Sequence, residues 1–308
     1  MVRLATRGSP LALWQARRVS ELIASRCGAL RWEPLVVRTT GDALSEVPVA
    51  HIGGQGAFVK EVQVAVLDGR ADLAVHSAKD LPSATPEGLA LACIPERADP
   101  RDALVGSALA DLPTGATVAT GSARRLAQLA WLRPDLTFVD LRGNMATRVE
   151  RAERAGAGVL ALAALERLGL TDHVAQVLDP DAVLPQVGQG AIAVECRCDD
   201  HEMLELLESV DDVGAHRAVT AERSFLAALG GGCTLPLGAL AAAASATADL
   251  ELEGMLASRD GHVVLRHQAV GRDPVALGRQ VASELLDRRG GRWLDDWSGA
   301  PRDDPGSA

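Results

Sequence analysis

One cysteine lies in an unusually bare stretch of backbone, Gly230-Gly231-Gly232-Cys233-Thr234-Leu235-Pro236. The three glycines remove side-chain bulk on one side of the thiol and let another molecule approach the backbone closely. A thiol presented in this way is able to carry a covalently attached group. A tight turn around a buried cysteine is the competing interpretation, because free cysteine is among the most buried residue types. The loop alone favours the turn.

Cationic side chains recur at or near predicted strand-to-helix junctions, where ligands bind in α/β folds. They are Arg7, Lys79, Arg124, Arg125, Arg142, Arg148 and Arg167. An arginine binds a carboxylate or phosphate through two parallel hydrogen bonds. Each of these residues taken singly is better explained as a solvated surface cation. Together they indicate a cleft for a small polyanion.

The segment His76-Ser77-Ala78-Lys79-Asp80-Leu81-Pro82 follows a predicted buried strand and ends at a proline. It places a cation and a carboxylate side by side in one loop. A carboxylate there is able to steer proton transfer or to stabilise a cationic intermediate. An ordinary surface ion pair in a turn explains the same two residues equally well.

The elements that must position these residues alternate between strands and helices over the first two thirds of the chain. Strands are predicted at 3–6, 35–39, 73–75, 117–120, 137–141 and 159–161. Ser9, followed by Pro10, and Ser122 are predicted helix N-caps. This order predicts two similar α/β lobes with parallel or mixed sheets around a cleft. Each lobe would point a helix N-terminus, which favours anions, into that cleft.

The last third of the chain changes character. Strands are predicted at 237–243, 250–257 and 263–270, with a turn at Asp260-Gly261 and a helix at 275–286. This pattern predicts a small α+β domain with Cys233 at its entry, followed by a frayed tail from 288. The predicted domains are therefore 1–95 with 190–212, then 96–189, then 213–308.

Two glycine-rich segments join these elements. Gly53-Gly54-Gln55-Gly56 lacks the spacing of a nucleotide-binding loop, and we expect it to be a mobile loop over the cleft. Phe58 beside it is, on its own, a core residue. Gly188-Gln189-Gly190 is predicted to be a hinge that returns the chain to the first lobe.

Composition excludes several classes of protein. The 308 residues are 47% hydrophobic and carry a net charge of −10, which argues against general binding of nucleic acid or anionic membranes. No apolar run reaches signal-peptide or membrane-spanning length, so we expect a cytoplasmic protein. Five cysteines show no zinc-binding spacing, so neither a metal site nor a disulfide is expected. Most of them are expected to fill the core.

Taken together, the motifs resemble those of the hydroxymethylbilane synthases, also called porphobilinogen deaminases. The matching phrases, over residues 3 to about 290, are Ala5-Thr6-Arg7-Gly8-Ser9-Pro10-Leu11-Ala12-Leu13-Trp14-Gln15-Ala16, Thr40-Gly41-Asp42, Gly56-Ala57-Phe58-Val59-Lys60-Glu61, Ala74-Val75-His76-Ser77-Ala78-Lys79-Asp80, Pro100-Arg101-Asp102-Ala103, Gly121-Ser122-Ala123-Arg124-Arg125, Leu141-Arg142-Gly143-Asn144, Thr147-Arg148, Arg167-Leu168-Gly169-Leu170, Gly188-Gln189-Gly190, Thr220-Ala221-Glu222-Arg223 and the Cys233 loop. Several long motifs in a fixed order make chance a poor explanation.

The resemblance implies a fold, a cofactor and an activity. The fold would be two periplasmic-binding-protein-like lobes with mixed sheets, plus the α+β domain. A dipyrromethane cofactor would be attached to Cys233 through a thioether. The enzyme, a transferase of haem biosynthesis and a monomer, would add four porphobilinogen molecules to this primer, releasing ammonia and then linear hydroxymethylbilane.

The resemblance also implies roles for individual residues. Asp80 matches the family's catalytic aspartate, which holds pyrrole nitrogens and stabilises the positive charge formed as ammonia leaves. The positions matching cofactor-binding residues are Cys233, Arg7, Ser9, Lys79, Asp80, Thr120, Ser122, Arg124, Arg125 and Arg142. The positions matching substrate-binding residues are Arg7, Ser9, Phe58, Ser77, Arg142, Arg148 and Arg167.

The chain departs from the family pattern at three positions. Gly230, Gln55 and Gly121 stand where relatives commonly carry glutamate, lysine and serine. None of these changes touches Cys233 or Asp80, so activity is still expected. Two other classes remain open from the residues alone. One is a non-enzymatic small-anion binding protein of the two-lobed solute-binding type, and the other is a cysteine hydrolase, which would need a histidine near the thiol.

Overall fold

The structure is a computed structural model that describes residues 1–28, 31–43, 56, 58–230, 236–244 and 249–294, with backbone alone at 42 and 43. Cys233 and Gln55 lie outside the described residues. The strands are β1 (Val2–Arg7), β2 (Trp32–Val37), β3 (Leu73–Ser77), β4 (Leu89–Cys93), β5 (Asp102–Val105), β6 (Thr117–Ala119), β7 (Thr137–Val139), β8 (Ala157–Ala161), β9 (Val174–Val177), β10 (Ile192–Arg197), β11 (Leu237–Ala243), β12 (Leu250–Ala257) and β13 (Val264–Gly271). The α-helices are α1 (Pro10–Cys27), α2 (Thr40–Ala43), α3 (Lys60–Leu67), α4 (Ala123–Leu132), α5 (Met145–Ala155), α6 (Leu162–Arg167), α7 (His201–Glu208), α8 (Val213–Ala228) and α9 (Pro274–Ser283).

Two five-stranded sheets share one topology, with orders β2-β1-β3-β10-β4 and β7-β6-β8-β5-β9. In the first, β1 runs parallel to β2 and β3, while β10 is antiparallel to β3 and β4. In the second, β6 runs parallel to β7 and β8, while β5 is antiparallel to β8 and β9. Each sheet forms one lobe. The faint repeat in the sequence therefore corresponds to a repeated architecture, and the prediction of two mixed α/β lobes is confirmed.

Helices begin where the sequence places capping side chains. Ser9 Oγ accepts from the Ala12 amide, and Ser122 Oγ accepts from the Arg125 amide. Each serine satisfies one of the unpaired amides of the first turn, so the strand-to-helix junctions after β1 and β6 are fixed locally. The chain therefore presents the N-termini of α1 and α4 at equivalent edges of the two sheets.

Two adjacent segments connect the lobes, and we call them the outgoing crossover (residues 97–101) and the return crossover (residues 186–191). They pair with each other through an isolated bridge between Arg97 and Ala191 and a hydrogen bond from the Ala98 amide to the Gly190 carbonyl. The predicted hinge at Gly188-Gln189-Gly190 lies in the return crossover. Because β5 follows one crossover and β10 the other, the inner antiparallel strand of each sheet starts next to this junction.

The third domain is the antiparallel sheet β11-β12-β13, with α8 and α9 packed on it. Phe225, completely buried on α8, packs in its core with Leu252 and Val281. The predicted strands agree with β11, β12 and β13 to within one residue, and Gly261 makes the predicted turn with φ +75°. The predicted helix at 275–286 is α9 followed by a π-helical turn to Arg288. Residues 295–308 lie outside the described part.

The cysteine prediction is only partly correct. Cys93 and Cys196 are buried, but Cys27 and Cys198 are exposed. None of the helices in the described part of the chain is long and apolar enough to cross a membrane.

Candidate active site

Asp80 ends a single 3₁₀ turn, Ala78–Asp80, that directly follows β3. Pro82 favours an extended conformation at Leu81, which has φ −67° and ψ 141°, so the turn cannot continue as a helix. No hydrogen bond joins the half-buried Asp80 carboxylate to another described side chain or backbone group. Its acceptor oxygens are therefore available to a ligand.

The return crossover packs tightly against this turn. Gly188 has φ +71°, and a Cβ there would lie 3.0 Å from both the Ala78 carbonyl carbon and the Lys79 nitrogen. The side chain of Gln186 donates a hydrogen bond to the Lys79 carbonyl at 3.3 Å. Only glycine fits both the backbone conformation and the contact. The position of Asp80 therefore depends on the geometry of the return crossover.

A small cavity opens beside Asp80 in the first lobe. It is lined, among others, by Arg7, Ser9, Gln15, Phe58, Ser77 and Asp80. The Arg7 guanidinium lies over the Phe58 ring, 4.4 Å from its centre, in a cation–π contact. Ser77 Oγ accepts a 2.9 Å hydrogen bond from Gln15 Nε2. Four of the predicted substrate-binding residues, Arg7, Ser9, Phe58 and Ser77, therefore lie together.

Lys79 shows how strongly this region favours an anion. Burial and the nearby charge of Arg125 lower the pKa of Lys79 to about 8, and Asp80 opposes the shift only in part. The nearby carboxylates of Asp80 and Asp102 favour the charged lysine but do not offset burial and the charges of Arg125 and Arg148. A bound carboxylate would help to offset them.

Arg148 on α5 extends the cationic region into the second lobe. Burial lowers the pKa of Arg148, and the charges of Arg125 and Arg142 lower it further. Asp80 and Arg7 of the first lobe also act on it, with opposite signs. The cleft between the lobes therefore brings Arg7, Asp80 and Arg148 into electrostatic contact, although they are far apart in the sequence.

Arg124 and Arg125 are more deeply buried than their positions at a helix start would suggest, with 3% and 8% of their surface exposed. Both form ion pairs with Asp102, each with a 2.8 Å contact. Arg125 Nη1 also donates to the Val159 carbonyl, and Arg124 Nη1 donates to the Leu184 carbonyl. These two arginines are thus held in fixed positions by the protein itself.

Thr120 and Ser122 lie on the same loop, between β6 and α4. Thr120 Oγ1 accepts from the Ser122 amide at 3.3 Å, and Ser122 caps α4. A side chain at Gly121 would meet Asp140 Oδ1 and the Leu141 carbonyl at 3.0 Å, so this loop packs tightly on the next junction. A serine at position 121 would require that junction to move.

Arg142 and Arg167 each use part of their hydrogen-bonding capacity on other groups of the protein. Arg142 pairs with Asp140 at 2.8 Å in the predicted turn before α5. Arg167 is the last residue of α6, not a strand-to-helix junction, and it donates to the Gly190 carbonyl at 2.7 Å. Its guanidinium also lies 5.3 Å from the centre of the Trp14 ring of the first lobe. Arg167 therefore lies where the two lobes meet the return crossover.

The family of the chain follows from comparison with known proteins. The family model for the porphobilinogen deaminase dipyromethane cofactor binding domain matches residues 2–205, and that for the porphobilinogen deaminase C-terminal domain matches residues 216–287. The chain belongs to the porphobilinogen deaminase family. Porphobilinogen deaminase of Roseiflexus sp. is 49% identical, covering 94% of this chain and 97% of its own. That of Syntrophobacter fumaroxidans is 46% identical, covering 96% and 97%.

Family membership confirms the predicted family, the enzyme class of transferase and the dipyrromethane cofactor, and it favours the enzyme over the solute-binding alternative. Among solved structures, a nutrient binding protein from Burkholderia cenocepacia aligns with a TM-score of 0.42 at 12% identity, over 73% of this chain and 95% of its own. The two-lobed fold is established by the sheet topology described above.

The donors in the cleft fit a cofactor that carries several carboxylates. Among the described residues, Arg124 Nε and Nη2 and Arg167 Nε are buried without a hydrogen-bond partner. The Arg124 side chain packs against Gly238 of β11, shortly after Cys233 in the chain, where an added Cβ would lie 3.3 Å from Arg124 Cδ. Unpaired buried donors are costly, and the carboxylates of a bound ligand would satisfy them.

Three residues of this site were not among the predicted site residues, although one of them, Gln189, lies in the predicted hinge. Asp102, Gln189 and Gln15 lie within motifs that carry the resemblance, but each looks like an ordinary polar residue in the sequence. The one available signal was their position in those motifs. Their partners come from distant segments, so only the fold reveals what they contact.

Proposed function

We propose that the chain joins four porphobilinogen molecules head to tail, with loss of ammonia at each addition, and releases linear hydroxymethylbilane. The observation that carries this proposal is the set of cations from both lobes around Asp80, in a chain of net charge −10. Each pyrrole unit brings two carboxylates, so the growing product accumulates negative charge. Arginines and helix N-termini facing the cleft match that charge.

Attached to Cys233 through a thioether, the dipyrromethane supplies the primer to which pyrrole units are added. The residues that we propose to hold it are Arg7, Ser9, Lys79, Asp80, Thr120, Ser122, Arg124, Arg125 and Arg142. The support is strongest for Arg124, whose unpaired donors lie beside the strand that follows the Cys233 loop. Lys79 would gain a proton more readily once a carboxylate lies next to it, because burial now lowers its pKa.

Asp80 is the proposed catalytic residue. Its carboxylate is free to accept hydrogen bonds from pyrrole N–H groups, which orients the substrate. As ammonia leaves, positive charge develops on the pyrrole, and a fixed carboxylate stabilises that charge. The rigid turn after β3 keeps Asp80 in place without reorganisation during the reaction.

The proposed substrate-binding residues are Arg7, Ser9, Phe58, Ser77, Arg142, Arg148 and Arg167. Phe58 would lie against a pyrrole ring, with Arg7 on its face. Arg148 and Arg167 come from the second lobe and would bind acetate or propionate groups across the cleft. Since substrate carboxylates would balance these cations, binding is expected to draw the lobes together.

We further propose a cytoplasmic monomer that binds neither nucleic acid nor membrane, with domains at 1–95 with 190–212, 96–189 and 213–308. The acidic composition supports the first part. The pairing of β10 with β3 and β4 supports the return of the chain to the first lobe.

Intact mass and product analysis test the proposed function together. The purified chain should exceed its polypeptide mass by one dipyrromethane, and it should convert porphobilinogen to hydroxymethylbilane with four ammonia released per product. Cys233→Ala should have the mass of its polypeptide alone and show no turnover. Cys27→Ala, which changes an exposed thiol, should carry the cofactor and turn over substrate as the parent does. A parent chain of bare mass that forms no tetrapyrrole would refute the proposal.

A further inference from the structure

Asp102 is completely buried at the start of β5, where the outgoing crossover enters the second lobe. Its Oδ1 accepts hydrogen bonds from Arg125 Nε at 3.1 Å and Nη2 at 2.8 Å. The same oxygen accepts from Gln189 Nε2 at 2.8 Å, and Oδ2 lies 2.8 Å from Arg124 Nη1. One carboxylate therefore joins two arginines of the cleft to the return crossover.

The charges in this cluster do not balance. Burial alone would raise the pKa of Asp102, but Arg124 and Arg125 outweigh it and hold that pKa well below its usual range. The two arginines thus favour the charged carboxylate, which compensates one of the two guanidinium groups. The excess positive charge lies beside Lys79 and Arg148, where both pKa values are lowered by Arg125.

Gln189 connects this cluster to both crossovers. Its Nε2 donates to the Pro100 carbonyl of the outgoing crossover at 2.7 Å as well as to Asp102. Its own carbonyl accepts from Arg97 Nε at 3.1 Å. A shift of either crossover would therefore change the hydrogen bonds around Asp102.

We propose that Asp102 is a positioning residue that fixes Arg124 and Arg125 for the cofactor carboxylates and, through Gln189, couples their orientation to the two crossovers. This inference rests on the proposed function, because it takes the anion held by these arginines to be the cofactor. Asp102 itself touches neither cofactor nor substrate.

Two physical effects follow from this arrangement. A guanidinium that is already fixed loses less conformational entropy when it binds a carboxylate. A carboxylate that binds Arg125 also competes with Asp102 for the donors Nε and Nη2, which shifts the hydrogen bonds shared with Gln189. A carboxylate that binds Arg124 has the unpaired donors Nε and Nη2 of that residue. Because such coupling is reciprocal, cofactor attachment stabilises one geometry of the crossovers, and that geometry favours the cofactor.

Three variants separate this role from simple support of the fold. Gln189→Met removes the link to the crossovers but leaves both ion pairs of Asp102. Asp102→Asn removes the charge that orients the arginines. Asp135→Asn is the matched control, because Asp135 also pairs with an arginine of the second lobe, Arg133, at 2.7 Å.

The main readout is hydrogen exchange of residues 97–101 and 186–191, compared between the cofactor-loaded chain and its Cys233→Ala form. Loading should slow exchange in the parent and in Asp135→Asn. Gln189→Met should load cofactor to the same mass but lose this difference, with kcat lowered about 10-fold and KM unchanged within about twofold. Asp102→Asn should lose the difference and also show a lower fraction of loaded chain.

A Gln189→Met chain with the parent's exchange difference and the parent's kcat would overturn the inference, as would a loaded parent that shows no exchange difference. If Asp102→Asn does not fold, Gln189→Met decides alone, because it keeps the buried ion pairs. A parent without the dipyrromethane mass refutes the proposed function instead, so the two failures are distinguishable.

Discussion

Arg97 and Glu222 form a two-point buried ion pair between the outgoing crossover and the third domain, with N–O distances of 2.6 and 3.2 Å. The same carboxylate accepts from the Gly188 amide of the return crossover at 2.7 Å and from the Ala241 amide of β11 at 2.8 Å. Glu222 therefore fixes both crossovers to the domain whose entry carries Cys233.

Replacing Glu222 should destabilise the whole chain. Glu222→Gln leaves the Arg97 guanidinium buried without a counter-charge, and removal of one partner of a buried ion pair costs about 3 kcal/mol. Denaturant unfolding should show this loss in the free energy of unfolding. Glu150→Gln, which breaks the exposed Glu150–Arg154 pair on α5, should change it by less than about 0.5 kcal/mol. Equal effects of the two variants would contradict the anchoring role.

Asp80→Asn should abolish most of the activity while leaving the fold intact. The amide keeps the shape of the side chain but cannot stabilise developing positive charge, so kcat should fall by about 10²- to 10⁴-fold. The free energy of unfolding should change little, because Asp80 has no hydrogen-bond partner among the described residues. Asp72→Asn, which removes an ion pair with Arg3 in the same lobe, should keep its kcat. Parent-like turnover by Asp80→Asn would exclude the catalytic role.

The parts of the fold that depend on local signals could be predicted from the sequence. Ser9 and Ser122 cap helices where expected, because a capping side chain acts within its own turn. The three strands of the last domain were predicted to within one residue, since their length and the turn at Gly261 are local features. The family resemblance predicts that Arg7, Lys79 and Arg148 lie around Asp80, and in the structure the charge of Asp80 acts on both Lys79 and Arg148.

What escaped prediction depends on contacts between distant segments. The short strands β4, β5 and β9 were missed, because no strong local pattern marks them. They are held in the sheets by pairing of β4 with β10, β5 with β8, and β9 with β5. Asp102 and Glu222 were assigned no role for the same reason. Their importance comes from donors that lie more than a dozen residues away in the chain, and a single sequence does not show which donors converge.

Lys79 predicts a pH dependence with a definite sign. In a Cys233→Ala chain, which carries no cofactor, the folded pKa of Lys79 is about 8, below the usual value for an unfolded chain. Between these two values the unfolded state binds more protons, so this chain gains stability as pH rises above about 8. Below about pH 8 the buried charge on Lys79 destabilises the folded chain, and Lys79→Met removes that cost. The variant should therefore have a larger free energy of unfolding than its Cys233→Ala parent at pH 7. This difference should shrink towards pH 10, because the lysine of the parent loses its proton.

The control for this prediction is Lys60→Met, because Lys60 is exposed on α3. Its stability relative to the parent should stay constant over the same pH range in thermal unfolding. In the cofactor-loaded chain, the carboxylates that we propose to lie near Lys79 would favour its charged form, so Lys79→Met should destabilise the protein at pH 7. A Lys79→Met effect that is independent of pH in the cofactor-free chain would show that the lysine is not held in a desolvated, cationic environment.

Gly41 limits where the Phe58 ring can lie in the cavity beside Asp80. A Cβ at Gly41 would lie 2.2 Å from Phe58 Cε1, so any side chain there must displace the ring. Thr40 holds this segment in place, because its amide donates a 3.0 Å hydrogen bond to Glu61 Oε1 at the start of α3. Gly41→Ala should therefore move Phe58 away from Arg7 without changing any group that contacts substrate directly.

Gly41→Ala and Phe58→Leu should each raise KM for porphobilinogen about 5-fold, the loss expected for one aromatic contact of about 1 kcal/mol. The double variant should be no worse than either single one, since both act through the same ring. Steady-state kinetics on chains of equal cofactor loading measure this. If the two effects multiply instead, Gly41 acts on binding by a route that does not involve Phe58, because independent sites add in free energy.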